Sequence, residues 1–426
     1  MSTSLRSRSL RWLVPMSRPK PGQHGGGRAP RGPLPDGTRL RVVQLLATGT
    51  NGGAQESVVS TVLRLDASRH ETHVISLSHG STVARLQRLG YPTEVIEQAS
   101  DQRAAELLAD RLIALGAQVL HAHMYRAEVV GVAALDLVEG RTGERPYMVS
   151  TVHSSRFRSP DDRELLERIT PKIDRLIAVS DAIVDKLVAE GRDTTPISRI
   201  YNGVDLERFD EAGGGEAIRV ELGIPANAPL AVVVGRLEPE KGHPTLIEAW
   251  PVVHHHFPSS HLLVVGEGSE RDRLEGLAAA HLRAEVCCNS VHFLGRREDV
   301  PQILAAANVV VMPSYREAQG LAIVEALAAE RPVIASNVGG IPEMIRSGEN
   351  GLLVPSHDPS ALASAIALLF RDRALAQRLA AAGHALVHER FCVDDMLRDI
   401  ESIYELAVGG SVDEVPDRHG VRAAHR

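Results

Sequence analysis

Two glutamates, Glu317 and Glu325, are separated by seven residues, and each has a side chain that could bind a ligand. Glu317 follows a strand-like apolar run at 309–312, and Glu325 interrupts an apolar run at 321–329 that is typical of a buried helix. A lone charge in such a helix costs free energy unless something compensates it. Glu325 is therefore either a ligand-binding carboxylate or a buried glutamate satisfied by neighbouring backbone or arginine.

Two basic side chains share the loop that follows a strand-like run at 230–234, with Arg236 after Gly235 and Lys241 before Gly242. Arginine binds a diphosphate as a planar fork and lysine binds it as a point charge. The flanking glycines allow the backbone to approach a ligand closely. We expect this pair to clamp a diphosphate; the alternative is two solvated surface charges.

A glycine-rich turn containing Gly52 and Gly53 separates a strand-like run at 41–46 from a helix expected to begin near Glu56. Strand, glycine turn and helix form the opening unit of a doubly wound sheet. The glycines permit positive φ and let a ligand approach the backbone, and the helix N-terminus behind them favours an anion. No Gly-Lys-Ser/Thr follows, so the turn is not a Walker loop.

Three histidines, His121, His123 and His153, end strand-like runs in the same half of the chain. Ligands bind beyond the carboxyl ends of parallel strands, so these side chains are expected on the ligand side. A structural role is the alternative for each of them.

Strand-like and helix-like segments alternate along the chain, and 426 residues exceed one compact core. The predicted fold class is α/β, with two doubly wound Rossmann-like domains facing each other across a crevice. The predicted segments are a disordered basic arm at 1–38, an N-terminal Rossmann-like domain at 39–205, a linker at 206–228, a C-terminal Rossmann-like domain at 229–386, helices at 387–407 that return to the N-terminal domain, and a disordered tail at 408–426.

The composition narrows the function classes and the compartment. The formal net charge of −7 and the aromatic content of 3% argue against nucleic-acid binding. Cys287, Cys288 and Cys392 form no disulfide framework, which predicts the cytoplasm, and no apolar run is long enough to span a membrane. The basic arm is either a peripheral contact with anionic lipid at the inner membrane face or an inert tail.

Several motifs together resemble the group 1 (family 4) retaining glycosyltransferases of GT-B fold, over about residues 39–407. The denser C-terminal matches are Val234-Gly-Arg-Leu-Glu-Pro-Glu-Lys-Gly242, Val265-Gly-Glu-Gly268, Phe293-Leu-Gly295, Pro313-Ser-Tyr-Arg-Glu317 through Glu325-Ala-Leu327, and Pro332-Val-Ile-Ala-Ser-Asn-Val-Gly-Gly-Ile-Pro-Glu343. The sparser N-terminal matches are Gly52-Gly53, His121-Ala-His123, Thr151-Val-His153, Val179-Ser180 and Asn202-Gly-Val-Asp205.

The resemblance implies a transfer of a sugar from a UDP- or GDP-sugar to a hydroxyl of a glycan or lipid-linked acceptor, such as a polysaccharide or glycolipid precursor. It also implies that the domain at 39–205 is the acceptor side and that the domain at 229–386 binds the nucleotide sugar. Arg236 and Lys241 would hold the diphosphate and stabilise the leaving phosphate, and Glu317 would accept hydrogen bonds from sugar hydroxyls. Glu325 would accept from the ribose hydroxyls. The implied donor site also includes Gly235 and the backbone of Ala318, Gln319, Gly320 and Leu321, and the acceptor or diphosphate side includes Gly52, Gly53, His123, His153 and Asn202.

The resemblance also implies a mechanism without a glutamate nucleophile, in which the acceptor hydroxyl attacks from the face of the leaving group. No Asp-x-Asp occurs in the sequence, so we expect no metal, with Arg236 and Lys241 in its place, and no cofactor. Similar enzymes often have glycine and an aromatic residue after the first glutamate, where this chain has Ala318 and Gln319. This departure leaves the identity of the donor sugar open, and Gln319 is expected to influence it.

Two other functions remain to be weighed. One is a non-catalytic GT-B protein that binds a nucleotide sugar or acts as a scaffold. The presence of all four charged residues of the implied donor site argues against it: Arg236, Lys241, Glu317 and Glu325. The other is an NAD-dependent oxidoreductase, which rests on Gly266-Glu-Gly268 alone. That motif lacks the third glycine and an acidic ribose anchor, which favours a structural turn.

Overall fold

The computed structural model describes residues 37–156, 158–282 and 290–409. Within them the chain forms two parallel β-sheets of seven and six strands, each covered by helices. The predicted α/β architecture of two doubly wound domains is therefore confirmed. The predicted basic arm and disordered tail lie almost entirely outside the described residues, as do Cys287 and Cys288.

The first sheet has the strand order β3-β2-β1-β4-β5-β6-β7, so its topological switch point lies between β1 and β4. Its strands are β1 (Leu40–Leu46), β2 (His70–Ser76), β3 (Thr93–Val95), β4 (Val119–His123), β5 (Tyr147–Val152), β6 (Arg175–Ala178) and β7 (Ile197–Arg199). The second sheet has the order β10-β9-β8-β11-β12-β13, with its switch point between β8 and β11. Its strands are β8 (Leu230–Val234), β9 (His261–Val265), β10 (Val291–Gly295), β11 (Val309–Met312), β12 (Val333–Ser336) and β13 (Leu352–Val354).

Helices connect the strands and close the chain. They are α1 (Gly53–Arg64), α2 (Ser81–Arg88), α3 (Asp101–Leu115), α4 (Tyr125–Thr142), α5 (Pro160–Ile169), α6 (Asp181–Ala189), α7 (Glu207–Asp210), α8 (Glu216–Glu221), α9 (His243–His256), α10 (Arg271–Leu282), α11 (Val300–Ala306), α12 (Leu321–Ala328), α13 (Pro359–Arg371), α14 (Arg373–Arg390) and α15 (Val393–Glu405). Short 3-10 turns occupy Thr170–Lys172, Pro239–Lys241, Ile341–Glu343 and Leu406–Val408. No helix among the described residues is both long and apolar enough to cross a bilayer.

The central strands are apolar because both faces of a parallel sheet are covered. All four residues of β11 are buried, as are all five of β4, although β4 contains two histidines. Each sheet therefore has its own core, and the carboxyl ends of its strands are left for ligands.

The segment at 206–228, expected to be a linker, contains the short helices α7 and α8. Phe209 and Ile218 from these helices belong to the same buried cluster as Leu230 and Val310 of the second sheet. The segment thus packs onto the C-terminal domain.

Helix α15 lies against the first sheet. Its Met396, Ile400 and Tyr404 share a buried cluster with Leu40 and Val119. The crossing occurs at Cys392, which pairs with Val204 in an isolated β-bridge. The chain therefore leaves the N-terminal domain, builds the second, and returns to the first.

Candidate functional site

The Glu317 loop and the basic loop meet at the carboxyl ends of β8 and β11. Lys241 Nζ lies 2.5 Å from Glu317 Oε2, with side chains that are 18% and 13% exposed respectively. Ser314 Oγ is 3.5 Å from the same carboxylate oxygen. Two residues 76 positions apart, both assigned to one ligand from the sequence, are thus brought into direct contact.

Gly242 determines how closely these two loops approach. It has φ of 67°, and a Cβ atom there would lie 2.0 Å from the carbonyl oxygen of Pro313. A residue other than glycine would therefore push the basic loop away from the Glu317 loop. Arg236, at the other end of the basic loop, is 46% exposed and pairs with Glu240 at 2.9 Å. Its guanidinium group remains accessible to a ligand.

Gly266 and Gly268 pack closely against the backbone of the basic loop. Gly266 has φ of 140°, and a Cβ atom there would lie 1.9 Å from the carbonyl oxygen of Gly235. At Gly268 a Cβ atom would lie 2.3 Å from the carbonyl oxygen of Leu237. The motif that suggested a dinucleotide site thus acts as a close-packed turn beneath Arg236.

Glu325 lies on α12 and is partly buried. Loss of solvent around its carboxyl group raises its pKa to about 7, and the negative charge of Glu56 adds to this shift while Arg208 opposes it. Glu56 belongs to α1 of the N-terminal domain, so the carboxyl group stands near the boundary between the domains. A carboxyl that titrates near neutrality is a recurrent feature of ligand sites.

The glycine-rich turn faces the second domain. A Cβ atom on Gly52 would lie 3.7 Å from Arg236 Cδ, and one on Gly53 would lie 3.9 Å from Leu321 Cβ. Gly52 is extended, with φ of 169°, so the positive φ that glycine permits is not used there, and α1 begins at Gly53, three residues before Glu56. Because Gly52 and Gly53 have no side chains, they leave space beside the basic loop.

Asn202 and Gln319 form a buried contact between the domains, which we call the amide clasp. Gln319 Oε1 accepts from Asn202 N at 2.7 Å and from Asn202 Nδ2 at 2.8 Å. Gln319 Nε2 donates to the carbonyl oxygen of Asn202 at 2.9 Å. Both residues are at least nine-tenths buried. The side chain of Gln319 therefore points at the N-terminal domain.

Two further contacts join the domains beside the amide clasp. Ser180 Oγ donates to the carbonyl oxygen of Ala318 at 2.7 Å. Glu343 accepts from the backbone N–H groups of Asp181 and Ala182, at 2.8 and 2.9 Å, at the start of α6. A carboxylate at a helix N-terminus is favourable because it pairs with free N–H groups. The sequence matched Ser180 and Glu343 to motifs without indicating that each of them contacts the opposite domain.

The three histidines occupy different environments. His121 and His123 are buried, at 0% and 3% exposure, and His153 lines a pocket. Burial lowers the pKa of His121 to about 3 and that of His153 to about 4, and it also lowers the pKa of His123 well below its ordinary value. All three are neutral at physiological pH. His153 borders the pocket, and its expected ligand role stays a prediction, whereas His121 and His123 are both enclosed.

The pocket beside His153 was not found from the sequence. Its lining includes Met124, Tyr125, Ser154 and Arg158. Met124 adopts φ of 75°, which is strained for a side chain with a Cβ atom and typical of functional sites. The guanidinium carbon of Arg158 lies 4.5 Å from the centre of the Tyr125 ring. Tyr125 and Arg158 looked like ordinary helix and loop residues in the sequence.

Two buried ion pairs form the wall of this pocket. Arg192 lies 2.8 Å from Glu128, and Lys186 lies 2.8 Å from Glu190. Burial disfavours the charge on Glu128, but Arg192 outweighs it and lowers the pKa of that carboxyl. The signal for this pair was Glu128 itself, a charge within the apolar part of α4.

Comparisons with known proteins identify the family of this chain. The profile of "Glycosyl transferases group 1" matches residues 215–385, and that of "Glycosyltransferase Family 4" matches residues 51–208. A phosphatidyl-myo-inositol mannosyltransferase of Mycobacterium tuberculosis is 34% identical over 306 residues, which cover 68% of this chain and 74% of the relative. This chain belongs to the group 1 glycosyltransferases.

Other members of the group 1 glycosyltransferases match over different lengths. A D-inositol 3-phosphate glycosyltransferase of Streptomyces bingchenggensis is 35% identical over 258 residues, which cover 57% of this chain and 55% of the relative. The match thus spans just over half the length of that protein. The structure of Anabaena Alr3699/HepE in complex with UDP-glucose aligns with a TM-score of 0.77 at 24% identity, covering 86% of this chain and all of that one. This similarity supports the GT-B fold.

Proposed function

We propose that this protein is a retaining glycosyltransferase that moves a sugar from a nucleotide-diphosphate donor to a hydroxyl group of an acceptor, without a metal or cofactor. The observation that carries the proposal is the contact between Lys241 and Glu317, flanked by Arg236 and Glu325 at the boundary between the domains. These four side chains match the parts of one nucleotide sugar: diphosphate, sugar hydroxyls and ribose.

In this mechanism Arg236 and Lys241 stabilise the negative charge that develops on the leaving diphosphate. Glu317 accepts hydrogen bonds from donor-sugar hydroxyls, and Glu325, once ionised, accepts from the ribose. The acceptor hydroxyl attacks the anomeric carbon on the face that the diphosphate leaves, and a phosphate oxygen takes the hydroxyl proton. Glu317 is ion-paired with Lys241, which suits a positioning carboxylate better than a nucleophile.

Two observations support a proposal for the acceptor. The names of two relatives include D-inositol 3-phosphate and phosphatidyl-myo-inositol, which are both phosphorylated inositols. The pocket beside His153 is lined by Arg158, whose guanidinium group stacks on the Tyr125 ring and can attract a phosphate. We therefore favour a phosphorylated inositol, free or lipid-linked, among the glycan and lipid-linked acceptors. The reaction would take place in the cytoplasm, with the basic arm at 1–38 reaching anionic lipid at the inner membrane face.

A panel that combines each nucleotide sugar with each acceptor tests this function. Purified full-length protein is incubated with UDP- and GDP-sugars against inositol, inositol phosphate and phosphatidylinositol, and products are measured by mass shift. We expect transfer from at least one nucleotide sugar to a phosphorylated inositol, and a loss of at least about 100-fold in Lys241→Ala. Lys172→Ala, which removes a lysine paired with Asp136 in the N-terminal domain, is the matched control.

The panel also separates the alternatives. Nucleotide-sugar binding without turnover by the folded wild type would favour a non-catalytic binding or scaffold protein. Transfer to unphosphorylated inositol alone would retain the transferase and reject the proposed acceptor.

A further inference from the structure

The loop that follows β10 reaches across the crevice to the glycine-rich turn of the N-terminal domain. Arg296, the first residue after this strand, meets Asn51, the residue before Gly52. The amide oxygen of Asn51 accepts from Arg296 Nε at 2.7 Å and from Arg296 Nη2 at 3.0 Å. We call this contact between Arg296 and Asn51 the arginine latch.

The neighbouring groups fix the orientation of the Asn51 amide. A guanidinium group has donors only, so the amide turns its oxygen toward Arg296. The amide nitrogen then donates to Ser81 Oγ at 2.6 Å and to Thr82 Oγ1 at 3.1 Å. The Thr82 hydroxyl can accept there because its own hydrogen goes to the carbonyl oxygen of Thr50, at 3.2 Å. Asn51 therefore joins the start of α2 to the opposite domain.

The glycine-rich turn is also held by its own domain. The backbone N–H of Thr82 donates to the carbonyl oxygen of Gly49 at 3.0 Å. A Cβ atom on Gly80 would lie 2.1 Å from the same oxygen, so the turn packs tightly against the start of α2. Removing the side chain of Arg296 should therefore leave the turn folded and release only its attachment to the C-terminal domain.

The arginine latch and the amide clasp lie at opposite edges of the crevice. In the first sheet the latch follows β1 and the clasp follows β7, four strands away, which is about 19 Å at the usual strand spacing. In the second sheet the latch follows β10 and the clasp follows β11, three strands away, or about 14 Å. The basic loop follows β8, which lies between β10 and β11. The two contacts thus flank Arg236 and Lys241.

The two contacts differ in how easily they open. The amide clasp is buried, whereas the side chain of Arg296 is 34% exposed. Water can replace Asn51 as the acceptor, and Glu298 lies 3.6 Å from Arg296 as a partner within the same domain. The latch can therefore open while the clasp stays closed.

We propose that the arginine latch closes the edge of the crevice opposite the amide clasp, and that its opening admits and releases the nucleotide sugar. Arg296 is a positioning residue, which acts by holding the glycine-rich turn beside the basic loop. The identity of the ligand rests on the proposed function, whereas closure of the crevice does not.

Distances between the domains test the latch without a ligand. Spin labels are attached at Leu89→Cys and Val220→Cys, two exposed sites on opposite domains, in full-length protein whose three native cysteines are replaced by serine. Double electron–electron resonance measures the distance between the labels. We expect one narrow distribution when Arg296 is present, and a shifted and broader one in Arg296→Ala. Arg346→Ala, which removes an exposed arginine paired within its own domain, is the matched control and should keep the narrow distribution.

A double-mutant cycle shows whether Asn51 and Arg296 act together. We expect Asn51→Ala to open the crevice as Arg296→Ala does, and the double variant to be no more open than either single variant. Arg296→Lys, which keeps the charge but lacks the planar fork, should give an intermediate distribution.

Nucleotide release shows what the latch does for the reaction. Surface plasmon resonance on immobilised full-length protein gives the dissociation rates of UDP and GDP. We expect Arg296→Ala to speed dissociation about threefold to tenfold, as for the loss of a partly exposed hydrogen bond. It should also raise KM for the nucleotide sugar more than it lowers kcat, because the side chains of the donor site are unchanged.

Equal distance distributions in the wild type and a folded Arg296→Ala would overturn the latch, and so would additive shifts in the double-mutant cycle. An unchanged dissociation rate in a variant that has opened would overturn its role in nucleotide release. Because the distance measurement requires no nucleotide, a wild type that closes as expected but binds neither UDP nor GDP would reject the proposed function and retain the latch.

Discussion

Glu325 is a carboxyl group whose charge state decides what it can bind. Its pKa is raised to about 7, chiefly by loss of solvent and next by the negative charge of Glu56. The ionised form offers an acceptor oxygen to each of the two ribose hydroxyls, whereas protonation turns one of these oxygens into a donor. Because the pKa of Glu325 is higher in the folded protein than in the unfolded chain, folding favours the protonated form. The contribution of Glu325 to the free energy of unfolding is therefore fully present below about pH 4.5 and is lost as the pH rises through about 7.

We predict that affinity for a nucleotide sugar increases about tenfold between pH 6 and pH 8, because Glu325 ionises over this range. A nucleotide sugar suits the test because its diphosphate stays fully ionised throughout, and calorimetry measures the affinity. Glu325→Gln should bind weakly with no such pH dependence, and it should melt at a higher temperature than the wild type at pH 8.

Glu349→Gln, which changes a side chain that is 71% exposed, is the control and should behave like the wild type. An equal pH dependence in Glu325→Gln would show that another group controls nucleotide binding.

At the scale of elements, the loop before α12 is held by the opposite domain. The amide clasp between Gln319 and Asn202, together with the Ser180 contact to Ala318, fixes the backbone that is expected to bind the donor sugar. The effect expected of Gln319 on sugar choice stays a prediction. Its side chain would act through the position of this loop, since it is itself engaged by Asn202.

We predict that Gln319→Leu lowers the free energy of unfolding by about 1–3 kcal/mol, because it leaves the buried backbone N–H and amide groups of Asn202 without partners. It should also raise KM for the nucleotide sugar, since the donor loop loses its attachment to the N-terminal domain. Denaturant unfolding and initial-rate kinetics measure the two effects.

Gln377→Leu, a substitution at an exposed position of α14, provides the comparison. If Gln319→Leu matched this control in both measurements, the clasp would contribute nothing to folding or donor binding.

For the whole molecule, buried histidines make stability depend on pH. Burial lowers the pKa of His121, His123, His153 and His243, the last to about 4. The unfolded chain takes up protons at these positions below about pH 6.5, whereas the folded chain does not. Their stabilising contribution is therefore present above pH 6.5 and is lost as the pH falls toward 4.

We predict that the free energy of unfolding falls by about 2–5 kcal/mol between pH 7 and pH 5.5, partly offset by Glu325, whose contribution has the opposite sign. Chemical unfolding at a series of pH values measures this loss. His243→Gln should reduce the slope, because one titrating group is removed.

His79→Gln should leave the slope unchanged, since the side chain of His79 is 77% exposed. A flat profile for the wild type would mean that the buried histidines take up protons without unfolding.

The sequence by itself determined the fold class, because apolar strands alternating with amphipathic helices leave few arrangements other than parallel sheets. It also singled out Arg236, Lys241, Glu317 and Glu325, since charged residues at strand ends or in an apolar helix have few structural explanations. The bounds of α12 followed from Gly320 and the apolar run after it.

Tertiary structure alone decided which residues meet across the domains. Contacts such as Tyr404 with Gln44, or Gln319 with Asn202, join positions more than 100 residues apart, and neither local propensity nor spacing encodes such pairs. The same holds for His121 and His123, which are both buried although they stand at the carboxyl end of their strand. A polar side chain can bind a ligand or contact a distant helix, and its role depends on which element packs against it. In this protein helix α15 returns to the first sheet and packs against it.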